Sequence, residues 1–248
     1  MSILELDLRR QVLAEDYFGH TVWEYQLESR TVATERMAII VCDMWDNHWS
    51  RGASERVDDM VPRTNEVLHV LRERGVHIIH APSETMEYYA GTAPRMRMAG
   101  LHDVDPPPEL DHDDPPLPID DSDAGSDTGE TETYAAWHRQ HPSITIVQDM
   151  DWISESGLEI YSFLQQRDVE QVLIMGVHTN MCVLNRSFGI KQMVRWGVNI
   201  CLISDLTDAM YNPARLPYVS HDEGTRLVVG YIEKFWCPTI SSDDLLAA

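Results

Sequence analysis

Between Met37 and Ile240, short apolar runs rich in β-branched residues alternate with stretches of helical period, and this rhythm constrains the chain more than any other feature. MAIIVCD at 37–43, VHIIH at 76–80, ITIV at 144–147, QVLIMGV at 171–177, VNICLIS at 198–204 and CPTI at 237–240 read as six strands. Helical patterns run from about Glu55 to Arg74, closed by Gly75, and through SESGLEIYSFLQQR, which offers Ser154 as an N-cap. Two more run from about Asn180 to Trp196, stopping at Gly197, and from about Arg215 to Phe235. Strands that alternate with helices in this way form a parallel sheet covered on both faces. The expected fold is therefore α/β, a three-layer αβα sandwich with a six-stranded, mostly parallel, doubly wound sheet.

Two segments stand outside the rhythm. Residues 1–36 read as an N-terminal extension with partial helix, and residues 37–248 as one domain carrying an acidic, Pro-rich insertion at about 91–140. From Leu101 to Thr133 the chain has twelve acidic residues, six prolines and no Lys or Arg. Such a segment cannot build a core of its own, so it is either solvated or pinned onto the domain by contacts elsewhere. Within it DSDAGSDTGETE spaces oxygen ligands at alternate positions, but the glycine is misplaced for a calcium loop, and a solvated acidic loop is the preferred reading.

Charge limits the partners. The chain carries 41 acidic against 19 basic residues, a net −22, and only Lys191 and Lys234 among the basic residues are lysines. Nucleic acid and anionic membrane both require clustered cations, so neither is expected as a partner. No apolar run is long enough to span a membrane, and no secretion signal is evident, so a cytoplasmic location is expected. Cys42, Cys182, Cys201 and Cys237 form no CxxC pair, which points away from a zinc site or disulfide framework.

Ligands of doubly wound sheets bind beyond the carboxyl ends of the strands, so polar residues directly after each apolar run are the candidates. Asp43 closes the first run, and Cys182 follows the fourth in GVHTNMCVL. A cysteine opening a helix has its thiolate stabilised by the macrodipole, and a nearby carboxylate can take its proton. Together they make a nucleophile and a base. Trp45, His48, His80 and His178 are candidate substrate contacts at strand ends. Asp46, His48 and His80 also allow a metal site, although pocket-lining polar roles are favoured for them.

The strand ending in VCDMWD, the motif GVHTNMCVL, the later LISDLTDAM and the βα units resemble the isochorismatase-like cysteine hydrolases, a family that includes nicotinamidases and N-carbamoyl-amine hydrolases. The likeness covers roughly residues 35–240. It implies Asp43 as general base, Cys182 as nucleophile, a non-proline cis peptide before His178, and an oxyanion hole from the backbone N–H groups of His178 and Cys182. One departure is plain: the family's catalytic lysine is missing, since no lysine lies between Asp43 and Cys182. The candidates near its expected place are Gln148, Asp149, Met150 and Asp151, with Arg139 upstream. The resemblance implies a cysteine-dependent hydrolase of a small amide or carbamoyl C–N bond, needing no cofactor and acting on a small molecule, in a homo-oligomer (dimer or tetramer). The alternatives are a catalytically silent member used for binding or assembly, and a metal-dependent hydrolase using Asp46, His48 and His80.

Overall fold

Leu4, Leu6 and Leu8 alternate with charged residues, and Trp23, Tyr25 and Leu27 do the same, a period of two that only a strand satisfies. In a computed structural model describing residues 2–248, this N-terminal segment is a β-hairpin, β1 (Ile3–Glu15) and β2 (Thr21–Ala33), joined by a turn that Gly19 closes at φ +80°. The expected partial helix is replaced by two strands. The sheet therefore has eight strands and not six, in the order β2-β1-β8-β7-β6-β3-β4-β5. It is mixed: β3 (Met37–Cys42), β4 (His77–Ala81), β5 (Trp152–Ile153), β6 (Gln171–Val177), β7 (Ile200–Asp208) and β8 (Thr239–Ile240) are parallel, while β1 runs antiparallel to both β8 and β2.

The run ITIV is also not a strand. Asn65 donates to the carbonyl of Ser143 (2.7 Å) and accepts from the N–H of Thr145 (3.0 Å), and Arg72 donates to the carbonyl of Thr145 (3.4 Å), so this segment is stitched to α1 (Arg51–Glu73). The place beside β4 goes to Trp152 and Ile153, five residues beyond the run.

Alternate side chains of the central strands feed two cores. Ala38, Ile40 and Cys42 of β3 join Val172 and Ile174 of β6 and the apolar faces of α4 (Gly157–Gln166), α5 (Ile190–Arg195) and α6 (His221–Phe235). Met37, Ile39 and Val41 pack with Leu4, Leu6 and Leu8 of the hairpin and with Val57, Val61, Leu68 and Leu71 of α1. The short helices α2 (Met86–Tyr89) and α3 (Ala93–Ala99) follow β4, and α7 (Ser242–Ala247) ends the chain, its Ser242 held by both oxygens of Asp205.

The acidic insertion lies on the body in extended and turn conformations. Its carboxylates meet cations of the body: Asp114 pairs with Lys191, Asp123 with Arg215 and Asp127 with Arg56. Of the two readings open for it, these contacts match the pinned one.

Candidate active site

Strands β3, β4 and β6 end side by side, and the residues just past them converge. At Gly176 a Cβ would stand 2.0 Å from the carbonyl oxygen of Cys42, so only glycine lets β6 approach β3 this closely at the strand ends. Asp43 is fully buried and adopts a left-handed backbone (φ 47°), a conformation that costs about 1–3 kcal/mol in a non-glycine residue. Its carboxylate accepts the N–H of Ser83 (2.7 Å) on one oxygen and Nε–H of Arg186 (2.9 Å) on the other. Cys182 sits in a π-helical turn, Thr179–Val183, directly after the cis Val177–His178 peptide. Thr179 is tied to Thr207 (2.7 Å), and the side chain of Asn180 accepts from the N–H and donates to the carbonyl of Met210, which holds this turn against β7 and the loop beyond it.

The thiol of Cys182 lies beside the Asp43 carboxyl group and close to the backbone of His178. Burial first, and then the charge of Asp43, push the thiol up to about 12, with Arg186 and His178 opposing. Burial thus opposes the thiolate that a helix start favours. Burial also raises the Asp43 carboxyl, against the pull of Arg186, Ser83 and Cys182. Burial works against the Arg186 charge, and Asp43 and Cys182 together more than offset it. The thiol thus faces a buried carboxyl group clamped by a guanidinium.

Arg186 is the residue that sequence reasoning missed. It lies four positions after Cys182, one helical turn along the same face, and that spacing was the available signal. The helix expected from Asn180 to Trp196 breaks around it, since Leu184 and Asn185 end the first segment and α5 begins only at Ile190. The other proposed third partners lie elsewhere. Arg139 donates to the hydroxyl of Tyr88 (2.9 Å) and stands 3.9 Å from Asp46, while Gln148 and Asp149 are exposed. Asp151 is buried in a bidentate pair with Arg72.

A cavity of about 300 Å³ opens beside Cys182, walled by Trp45, His48, Trp49, Trp137 and His178, with Arg186 and Glu84 at its edge. Trp137 belongs to the acidic insertion and stacks on Trp45 at 4.0 Å and 9°. Its indole N–H and both ring nitrogens of His178 are buried without hydrogen-bond partners. Burial lowers His178 to about 3 and His48 to about 4, reinforced by neighbouring positive charge, so both rings are neutral at pH 7. His80 is not part of this wall. It is wholly buried, its ring held between Gln140 (2.9 Å) and Asp151 (3.1 Å).

Asp46, His48 and His80 are not brought together as a metal site. Asp46 accepts the backbone N–H of His138, and His48 accepts that of Ser50. No group of three or more His, Cys, Asp or Glu side chains suited to a metal ion occurs among the described residues.

A mostly parallel sheet covered by helices, with a cavity past the carboxyl ends of its central strands, defines an α/β protein with its candidate site at the carboxyl edge of the sheet. The family model described as "Isochorismatase domain" matches residues 37–215, and the chain belongs to the isochorismatase family of hydrolases. Among solved structures, a cysteine hydrolase from Pseudomonas syringae pv. phaseolicola is similar at 18% identity and a TM-score of 0.54, with 87% of this chain and 93% of that chain covered. An isochorismatase from Pseudomonas putida is similar at 11% identity and a TM-score of 0.51, covering 86% and 91% respectively. At these identities the likeness is one of fold. Comparison with curated protein sequences gave no match. No helix among the described residues is long and apolar enough to cross a membrane.

Proposed function

We propose that the protein hydrolyses a small amide or carbamoyl C–N bond, with Cys182 as nucleophile, Asp43 as general base and acid, and Arg186 as the cation that the family's lysine otherwise supplies. The observation that carries this reading is the single carboxylate of Asp43 facing the Cys182 thiol while Arg186 Nε–H donates to it at 2.9 Å. As the sulfur attacks the carbonyl carbon, its proton passes to Asp43. The N–H groups of His178 and Cys182 receive the developing oxyanion, a role for which fixed backbone donors need no reorganisation. Collapse of the adduct breaks the C–N bond, and Asp43 returns the proton to the leaving amine. Water, deprotonated by Asp43, then cleaves the thioester to the acid and regenerates the thiol. Arg186 stays protonated throughout, since a guanidinium is a poor acid, and its part is to keep the buried carboxylate ionised.

The catalytically silent alternative drew its motive from the missing lysine, and the pairing of Arg186 with Asp43 supports the active reading instead. The test is ammonia release from a panel of small primary amides and N-carbamoyl compounds. Wild-type turnover, its loss in Cys182→Ala, and an acyl adduct on Cys182 in the mass spectrum of quenched enzyme are expected. Full activity in Cys182→Ala would sink the mechanism.

A further inference from the structure

The two edges of the sheet are unlike. At one end β5 is two residues long, which leaves little ladder for another strand to pair with. At the other end β2 has thirteen residues, pairs with β1 in unbroken register from Thr21 to Ala33, and offers its second edge to solvent. TVWEYQLESRTVA contains no lysine and no proline, its register shows no bulge, and its only charged residues are Glu24, Glu28 and Arg30. The face it turns toward α6 is apolar at Trp23, Tyr25 and Leu27, with Tyr25 and Leu27 each 67% exposed, and the hairpin tip carries exposed Tyr17 and Phe18.

We infer that β2 is a dimerisation edge, pairing antiparallel with β2 of a second copy of this chain about a two-fold axis at Leu27. Two features of the strand fit a second copy in this register. A two-fold axis normal to the sheet places one residue opposite itself, and only Leu27, the central residue of Thr21–Ala33, lets all thirteen residues pair. The same register sets Glu24 of each protomer opposite Arg30 of the other, and Gln26 opposite Glu28. Shifting the axis by one residue fails on charge: centred on Gln26, Glu24 meets Glu28, and centred on Glu28, that residue meets itself. With Leu27 on the axis, the two Leu27 side chains touch and each Tyr25 lies diagonal to the other's Leu27. The exposed Tyr17 and Phe18 of each tip reach the base of the other hairpin. The dimer is one continuous sixteen-stranded sheet, with the two catalytic regions far from the join.

Multi-angle light scattering on the full chain at micromolar concentration is expected to give twice 28.4 kDa. Leu27→Cys, an exposed position, is expected to cross-link two chains through residue 27 on mild oxidation, because opposed residues of an antiparallel pair lie within disulfide reach. Ser29→Cys, whose counterpart in the register is Tyr25, is expected not to. Arg30→Glu should weaken dimerisation at least tenfold, and the swap Glu24→Arg with Arg30→Glu should restore it, with circular dichroism checking the fold of each. A monomeric wild type, a Leu27→Cys chain that fails to cross-link, or a swap that does not restore the dimer would each overturn the proposal.

Discussion

At the scale of single residues, the proposed reaction turns on one shared proton. Because Asp43 raises the Cys182 pKa, the neutral variant Asp43→Asn is expected to lose hydrolysis and yet alkylate faster with iodoacetamide at pH 7.5, by roughly three- to fourfold per unit of lowered pKa once the weaker nucleophilicity of the less basic thiolate is counted. Cys182 is the half-buried thiol and the other three are buried, so native labelling reads it selectively. Slower labelling in Asp43→Asn would contradict the arrangement. Arg186→Met should reduce kcat by about 100-fold or more, an effect of the size seen when a fixed electrostatic contact is removed from an active site. It should also move the acid limb of the pH profile upward. The sign follows from the carboxylate: Asp43 must be ionised to act, burial already raises it from 3.8, and Arg186 is the main influence holding it down. Activity is therefore lost as pH falls through that raised value, and without the guanidinium the loss begins at higher pH. An unshifted limb would show that Arg186 does not act through Asp43.

At the scale of elements, the acidic insertion acts as part of the pocket wall. Gly125 (φ +76°) would place a Cβ 2.4 Å from the backbone of Met210, so the insertion docks closely on the segment that also fixes Asn180. Its Trp137 then stacks on Trp45 over the cavity. Trp137→Ala is expected to raise KM severalfold with little change in kcat, because it removes wall area and leaves Asp43, Cys182 and Arg186 in place. A selective fall in kcat would instead place Trp137 at the reacting atoms. The composition of the insertion predicted that it cannot fold alone, while its seat depends on Arg56, Lys191 and Arg215, which come from three other parts of the chain.

For the whole molecule, charge and buried imidazoles set the response to solution conditions. The net charge is −22, of which twelve acidic residues lie in 101–133, and several of those are paired with the body. Long-range repulsion among the rest is screened by salt, so Tm is expected to rise between 0.05 and 1 M KCl. A flat or falling Tm would mean that the docking pairs outweigh the repulsion. His178 and His48 have folded pKa values lowered to about 3 and about 4 from 6.5. A depressed folded value gives stability that is present above 6.5 and lost as pH falls toward 4, where the unfolded chain binds the protons first. His178→Gln should flatten the decline of Tm over that window, and an unchanged slope would assign the decline to other groups.

The local pattern of the sequence determined the parallel α/β core, because burial on both faces writes continuous apolar runs, and it marked Asp43 and Cys182 because strand ends are where such sheets bind. The hairpin is legible too, in the alternation of Leu4, Leu6 and Leu8, a period of two that argues against the partial helix expected for residues 1–36. Only the tertiary structure decided what faces the pair. Gln148 and Asp149 sit near the expected place in the chain but in solvent, and Arg186 reaches Asp43 across 143 residues of sequence. It likewise decided that ITIV is stitched to α1 by hydrogen bonds and that Trp152 and Ile153 take the strand position. Those choices depend on which backbone groups find partners at long range, and sequence spacing alone carries no record of that.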